Sequence, residues 1–245
     1  MHYHISVFGQ LGCTWKDAEK AYRQILRDPN HVNSITVMRD PRTHFLSYYY
    51  YFMQPDTQKS VADFLTHTRP SNPERHRLYN PLAAEFGVRN GQDLKYMVEH
   101  GLPNMMLVIL TEDFDEGLMV LRRLLGWDMV DMTYRTVYKT TTGSTRYDGK
   151  ELVTTPHFDS LPKHVQNIID NNTQMDRILY KASKAAYEKQ RQKFAKFLEA
   201  DLVEFRRLQN VVKLYLDENS ASGANIMYKE ADIYSTEKHS PLYEF

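Results

Sequence analysis

Two side chains suited to binding an anion lie close together near the start of the chain. Arg39 ends an apolar stretch, and Ser47 follows eight residues later. A guanidinium group offers a planar set of donors that matches phosphate oxygens, and a serine hydroxyl adds one more donor. Between them, Asp40-Pro41 marks a helix start, whose N–H groups and partial positive charge also suit phosphate. The spacing favours a phosphate site; the alternative is that Arg39 pairs with a structural carboxylate and Ser47 lies on a helix surface.

A strand and a helix must position these two residues. The run Ser34–Met38 has the composition of a short strand, and the helix that starts at Pro41 can extend to about Phe52. Met105–Leu110 is predicted to be a buried strand, and Thr111 to cap a further helix. Strands that alternate with helices predict a parallel sheet with helices on its faces. In such sheets, ligands bind beyond the carboxyl ends of the strands.

The rest of the chain is organised differently. Four prolines interrupt residues 54–90, so only the short helical stretch Val61–Leu65 is predicted there. From about residue 173 to 216 neither glycine nor proline occurs, and apolar residues recur at helical spacing. This pattern predicts one long amphipathic helix or a kinked pair, an arm expected to pack against the sheet domain rather than to form a coiled coil with a partner. Residues 220–245 are expected to form a flexible tail.

The composition is that of an ordinary globular chain. Of 245 residues, 42% are hydrophobic and 25% are charged, and 31 Lys and Arg balance 31 Asp and Glu. A net charge of zero argues against a protein held to nucleic acid by bulk charge. No apolar run approaches the ~20 residues of a membrane-spanning helix, and no signal-peptide pattern opens the chain. The single cysteine, Cys13, excludes an internal disulfide framework. We expect the chain as written to be soluble.

The segment around Arg39 resembles the 3′-phosphate motif of the carbohydrate sulfotransferases. In these enzymes an arginine at a strand end and a serine eight residues later hold the 3′-phosphate of the sulfate donor, 3′-phosphoadenosine 5′-phosphosulfate (PAPS). Arg39-Asp40-Pro41 and Ser47 match that pattern.

A second stretch of the sequence gives a more specific resemblance than the motif at Arg39. Residues 107–118 (LVILTEDFDEGL) and 121–127 (LRRLLGW) resemble the galactose 3-O-sulfotransferase family, in which a strand leads into a Phe-Asp-Glu helix and a leucine-rich turn closed by tryptophan. The resemblance covers about residues 30–200 with an interruption.

This resemblance implies a fold, an activity and partners. We expect a three-layer, P-loop-like α/β sulfotransferase fold with a central parallel sheet, formed by residues 1–219. The implied activity is PAPS-dependent transfer of a sulfuryl group, without a metal, to a sugar hydroxyl in the Golgi. The expected acceptor is the 3-hydroxyl of galactose on a glycolipid or glycan. The alternative is a non-catalytic relative that keeps the fold as a binding or scaffolding module. The sequence leaves open the exact acceptor and whether the chain is a monomer or a homodimer.

The family chemistry requires two catalytic groups. The acceptor hydroxyl needs a general base, which in the family is a histidine on a strand upstream of the Arg-Asp-Pro motif. His4 occupies that place, and His2, on the same strand face, is the second choice. A lysine in an N-terminal phosphate loop stabilises the leaving phosphate. Gly9–Trp15 superficially resembles such a loop, but Gln10 stands where the lysine should be. We therefore expect either an N-terminally incomplete domain or a divergent member that has lost donor activation.

Three further patterns have simpler explanations. The acidic residues of 112–116 could suggest a metal site, but acids in the first turn of a helix complement its dipole. The aromatic run Tyr48–Phe52 could stack on a sugar or on adenine, although helical periodicity predicts that at least half of it is core. Asn171-Asn172-Thr173 is a glycosylation sequon, compatible with a luminal enzyme.

Overall fold

The computed structural model describes residues 34–134, 144–146 and 148–220, with side chains to Tyr215. The predicted base candidates His4 and His2, the segment Gly9–Trp15 and the tail after residue 220 lie outside the described residues. In the described part, the chain is rich in helix and contains one small parallel sheet.

The sheet places the ends of two strands side by side. Strand β1 (Ile35–Met38) pairs in parallel with strand β2 (Leu107–Leu110), with Met38 opposite Leu110. Both strands lie within the runs that the sequence predicted. Because parallel strands end at the same edge of a sheet, Arg39 and Thr111 emerge next to each other there.

Short helices connect the two strands. They are α1 (Pro41–Tyr48), which continues as a π-helical segment (Tyr49–Met53) into α2 (Gln54–Thr57), then α3 (Val61–His67), α4 (Pro73–His76), α5 (Pro81–Glu85) and α6 (Gly91–Tyr96). A second π-helical segment (Met97–Gly101) and a 3₁₀ turn (Leu102–Asn104) lead into β2. Prolines stand in the first turn of α1, α4 and α5, where a missing N–H costs nothing.

After β2 the helices become longer. A 3₁₀ turn (Thr111–Asp113) precedes α7 (Phe114–Leu125), so this helix begins two residues later than the Thr111 cap predicted. Further 3₁₀ turns, Val130–Met132 and Phe158–Ser160, precede α8 (Lys163–Asn172), α9 (Gln174–Gln192) and α10 (Ala195–Ser220). The region predicted as one long helix or a kinked pair is thus two helices, with a break at 193–194. None of the helices described between residues 34 and 220 combines the length and the apolar character needed to cross a membrane.

Helices cover both faces of the sheet. Leu107 and Ile109 of β2 pack with buried residues of α7 and α10, whereas Val108 and Leu110 pack with α5, α6 and α9. Gly117 of α7 lies so close to β2 that an added Cβ would be 2.5 Å from Cγ2 of Ile109. A third cluster joins α1, the first π-helical segment, α3 and α8. Successive side chains of β2 therefore pack alternately against two helical layers, one on each face of the sheet.

Helix α9 is bound to the sheet and to α5 by buried polar contacts. The side chain of Gln190 accepts the N–H of Val108 at 3.0 Å and donates to the carbonyl of Met106 at 3.0 Å. At the other end of α9, Asp176 accepts the N–H of Ala83 at 2.8 Å, while Asn80 accepts the N–H of Met175 at 2.8 Å. The starts of α5 and α9 thus cap each other, which supplies partners for N–H groups that a helix start leaves open.

Candidate functional site

Arg39 lies at the carboxyl end of β1, where its guanidinium is held by the next helix turn. Its Nε donates to Oγ1 of Thr43 at 3.2 Å, and that hydroxyl donates to the carbonyl of Asp40 at 3.0 Å. Arg39 is half-buried. Among the described residues it forms no ion pair with a carboxylate, so the structure does not support the alternative of a structural salt bridge. Within the described ranges, no residue binds the two Nη groups of Arg39.

Ser47 lies on the same helix as Thr43, one turn further on. It is half-buried, and its hydroxyl has no hydrogen-bond partner among the described residues. Thr43 and Ser47 are four residues apart and lie along one side of α1, and Arg39, just before the helix, is hydrogen-bonded to Thr43. The result is a row of one guanidinium and two hydroxyls that begins at the strand end.

The start of α1 is not an open anion site. Oδ1 of Asp40 accepts the N–H groups of Arg42 and Thr43, both at 3.1 Å, and Pro41 has no N–H. The N–H of His44 donates to the carbonyl of Asp40 at 2.8 Å. The expectation that free N–H groups at this helix start would bind phosphate is therefore wrong, because the aspartate that caps the helix already uses them. Any phosphate here must be held by side chains.

Glu112 connects this strand end to the rest of the domain. Its Oε1 accepts the backbone N–H of Asp40 at 2.7 Å, and its Oε2 accepts the hydroxyl of Tyr180 at 3.1 Å. Burial raises the pKa of Tyr180, and the nearby charge of Glu112 raises it further, so the phenol stays protonated and donates. Glu112 thereby fixes the peptide that follows Arg39. From the sequence, Glu112 was interpreted only as an acidic residue that complements the dipole of the following helix. Its place two residues after a predicted strand end was the one signal that could have indicated a role at that strand end.

Two other acidic residues of the predicted cluster have separate partners, whereas Asp113 forms no hydrogen bond with another described residue. Asp115 accepts the hydroxyl of Tyr134 at 2.8 Å, and Glu116 forms an ion pair with Arg191. Burial and the neighbouring Asp115 raise the pKa of Tyr134 to about 12. Within the described ranges, no three His, Cys, Asp or Glu side chains come together as a metal-ligand group.

The aromatic run after Ser47 is divided between core and surface. Tyr49 and Tyr50 are buried, Tyr48 and Tyr51 are half-buried, and Phe52 is 37% exposed. The π-helical turn in this run shifts the side-chain positions relative to α1.

His44 is a packing residue beside Arg39. Its burial, together with the positive charge of Arg39, lowers the pKa of His44 to about 4. The imidazole is therefore neutral near pH 7 and adds no positive charge to the site.

A comparison with known protein families matches the part of the chain that contains Arg39 and Ser47. The model of the family described as galactose-3-O-sulfotransferase matches residues 20–155, more than half of the chain. Mouse galactosylceramide sulfotransferase is 37% identical over 41% of this chain and 27% of its own length. The human protein of that name is 35% identical over 43% of this chain and 29% of its own length. Mouse galactose-3-O-sulfotransferase 3 is 32% identical over 41% of this chain and 27% of its own length. The chain thus spans less than a third of each of these relatives, and no solved structure matches it.

Proposed function

Because the chain belongs to the galactose-3-O-sulfotransferase family, we propose that it transfers a sulfuryl group from PAPS to a hydroxyl of galactose on a glycolipid or glycan. The observation that carries this proposal is the Arg39 guanidinium, held by Thr43 and without a carboxylate partner among the described residues, beside the unpartnered hydroxyl of Ser47. These groups lie beyond the carboxyl end of a parallel strand, where ligands of such sheets bind.

In this proposal Arg39 and Ser47 bind the 3′-phosphate of the donor. The Nη groups of Arg39 form charge-assisted hydrogen bonds with phosphate oxygens, and Ser47 donates one neutral hydrogen bond. Thr43 accepts a hydrogen bond from Nε of Arg39 and so orients the guanidinium, while Glu112 fixes the peptide at Asp40. Because the N–H groups at the start of α1 are already used, the two side chains supply most of the affinity for this phosphate.

The reaction moves one sulfuryl group between two oxygens. The bond between sulfur and the donor's phosphate oxygen breaks, a bond forms between sulfur and the galactose oxygen, and 3′,5′-diphosphoadenosine leaves. The proton of the acceptor hydroxyl goes to a general base. We assign that role to His4, as the family resemblance implies; His4 lies outside the described residues.

Other features accompany this function in the proposal. Residues 1–219 form the catalytic domain, with α10 at its end, and the protein acts in the Golgi lumen. The glycosylation sequon is compatible with a luminal location; its Asn171 is exposed at the end of α8, whereas its Thr173 is buried.

Nucleotide binding tests the donor site. The chain should bind 3′,5′-diphosphoadenosine more tightly than 5′-AMP, which lacks the 3′-phosphate. Arg39→Ala should remove most of this preference, a decrease on the order of 1.5–3 kcal/mol for a charge-assisted contact. Arg69→Ala, at an exposed arginine on another loop, is the matched control and should change nothing. Equal binding of both nucleotides to the wild-type chain, measured by calorimetry, would refute the assignment.

Transfer to galactosides tests the reaction itself. In protein that is active with PAPS, His4→Ala should abolish sulfate transfer and leave nucleotide binding near normal, because a general base acts on the acceptor. Activity that is indifferent to His4→Ala would remove only the base assignment. Nucleotide binding without transfer to any galactoside would instead support the non-catalytic alternative.

A further inference from the structure

A cleft with several charged residues in its lining lies between the start of α7 and the C-terminal half of α9. Its volume is about 410 Å³, within the range of small-molecule sites. Leu110, the last residue of β2, forms part of its wall. The other lining residues come from the two helical segments: Asp113, Glu116, Lys184, Ala185, Tyr187, Glu188 and Arg191.

Tyr187 gives this cleft an unused polar group. The residue is only 2% exposed, and its hydroxyl has no hydrogen-bond partner within the described structure. Leaving a buried hydroxyl without a partner is costly, so such groups usually bind a protein atom, a water or a ligand. Tyr187 lines the cleft, and its hydroxyl, which is closed to solvent, must turn toward the cleft before a ligand there can supply the missing partner.

The charged groups of the cleft divide into paired and available ones. Arg191 is occupied by Glu116 and lies 3.4 Å from Glu188. Asp113 is exposed and forms no hydrogen bond with another described residue, and the ammonium of Lys184 lies 5.9 Å from the ring centroid of Tyr180. The available groups are therefore a carboxylate, a phenol and an ammonium. The cleft is lined by three acidic and two basic side chains, and this balance of charge does not favour an anionic ligand.

The chemistry of these groups points to a neutral molecule with several hydroxyls. A carboxylate accepts hydrogen bonds from hydroxyls, an ammonium donates to them, and a phenol does both. Leu110 and Ala185 add an apolar surface for the C–H face of a sugar ring.

The cleft is also placed for the second substrate of a transfer reaction. Leu110 pairs with Met38, so the cleft and Arg39 lie at the same edge of the sheet. Asp113 directly follows Glu112, which accepts the N–H of Asp40. We propose that this cleft binds the acceptor sugar, with Tyr187 and Asp113 as hydrogen-bonding residues. This inference rests on the proposed function, since it places the galactose acceptor beside the nucleotide donor.

Sugar binding and nucleotide binding can be measured separately. Methyl β-galactopyranoside is titrated into the full chain in the presence of 3′,5′-diphosphoadenosine, and binding is followed by ligand-observed NMR. Tyr187→Phe and Asp113→Asn should each weaken sugar binding about tenfold, the effect of removing one hydrogen bond to a ligand. Neither change should alter the affinity for the nucleotide. Tyr79→Phe and Asp128→Asn, at exposed residues away from the cleft, are the matched controls.

Thermal unfolding shows that the variants are folded. Tyr187→Phe removes a hydroxyl that has no partner, so its melting temperature without sugar should equal or exceed that of the wild type. Saturating galactoside should raise the melting temperature of the wild type more than that of Tyr187→Phe.

The outcomes separate this inference from the proposed function. Unchanged sugar binding in both cleft variants, or no sugar binding by the nucleotide-bound wild type, overturns the cleft assignment and leaves the donor site standing. Sugar binding that depends on Tyr187 and Asp113, in a chain that does not prefer 3′,5′-diphosphoadenosine, supports the cleft and overturns the donor site.

Discussion

Glu112 accepts the backbone N–H of Asp40 at 2.7 Å, across 72 residues of chain. This one hydrogen bond joins the segment after β2 to the segment after β1, directly beside the arginine proposed to bind phosphate. The second oxygen of the same carboxylate accepts the hydroxyl of Tyr180 on α9. The orientation of Arg39 therefore depends on a residue that follows the neighbouring strand and on a helix far along the chain.

Replacing Glu112 should loosen the donor site without removing it. Glu112→Gln keeps the shape but loses the charge and cannot accept from both Asp40 and Tyr180 as well as a carboxylate does. We expect the affinity for 3′,5′-diphosphoadenosine to fall about three- to tenfold. The effect should be smaller than that of Arg39→Ala, because Glu112 acts through the backbone at Asp40 whereas Arg39 binds the phosphate directly. Calorimetry measures this change. Glu99→Gln, at an exposed residue 4.0 Å from Lys95, is the control, and equal affinities of the two variants would contradict a positioning role for Glu112.

The hydroxyl of Thr43 should matter for nucleotide preference. Thr43→Val keeps the side-chain volume but removes the acceptor for Nε of Arg39. The preference for 3′,5′-diphosphoadenosine over 5′-AMP should decrease by about 0.5–1.5 kcal/mol, the usual net value of one hydrogen bond. Thr43→Ser restores the hydroxyl and should restore the preference. A Thr43→Val chain that discriminates as well as the wild type would show that Arg39 needs no such support.

Gly117 should be intolerant of a side chain. In Gly117→Ala the new Cβ would lie 2.5 Å from Cγ2 of Ile109, so α7 must shift away from β2. Overpacking of this kind costs about 1–3 kcal/mol. At Gly91, by contrast, an added Cβ meets no atom within 4 Å. Gly91→Ala should therefore be neutral or stabilising by up to about 1 kcal/mol. Urea unfolding of both variants tests the contrast, which similar free energies of unfolding would contradict.

Buried titratable groups should make stability depend on pH. Burial raises the pKa of Asp176 and of Glu85 to about 7. In the unfolded chain these carboxyls titrate near 4, so between about pH 4 and 7 the unfolded state has released protons that the folded state keeps. The free energy of unfolding should therefore fall as the pH rises through this window. Burial lowers the pKa of His44 to about 4, and this group acts in the opposite sense between about pH 4 and 6.5.

The two carboxyls should outweigh the imidazole. The 3.6 Å approach of His44 Nε2 to Glu85 Oε1 is, with these pKa values, a contact between neutral groups near pH 5 to 6 rather than an ion pair. We expect stability measured by urea unfolding to decrease from about pH 4.5 to 7. Asp176→Asn, which keeps an oxygen to cap α5, should flatten this slope. A slope that is unchanged in Asp176→Asn, or stability that increases with pH, would contradict the origin proposed here.

Local signals in the sequence predicted the elements that carry the donor residues. Asp40-Pro41 predicted the start of α1, and the apolar runs around 35–38 and 107–110 predicted both strands. These patterns succeed because caps, proline positions and strand composition act over a few neighbouring residues. The same local reasoning failed at the helix start itself. It counted the N–H groups as free, although the side chain of Asp40 accepts two of them.

Contacts between distant segments could not be predicted from the sequence. Nothing in the local pattern shows that Glu112 accepts from Asp40, that Asp176 caps α5, or that the hydroxyl of Tyr187 is left without a partner. These contacts depend on how β1 pairs with β2 and on how α9 packs against the sheet and α5. The contact between Thr43 and Arg39 is different, because only four residues of chain separate the two and the helix start between them was predicted.

The amide of Gln190 limits how the sheet can grow. It occupies the N–H of Val108 and the carbonyl of Met106 on the side of β2 that faces away from β1. A further strand cannot hydrogen-bond along that side without displacing α9. Among the described residues, no side chain is hydrogen-bonded to the backbone of β1 in this way, so the edge next to β1, the strand that ends at Arg39, is the one left open to a further strand. In the described part of the chain, the open edge of the sheet is therefore the one that leads past the residues proposed to hold the nucleotide.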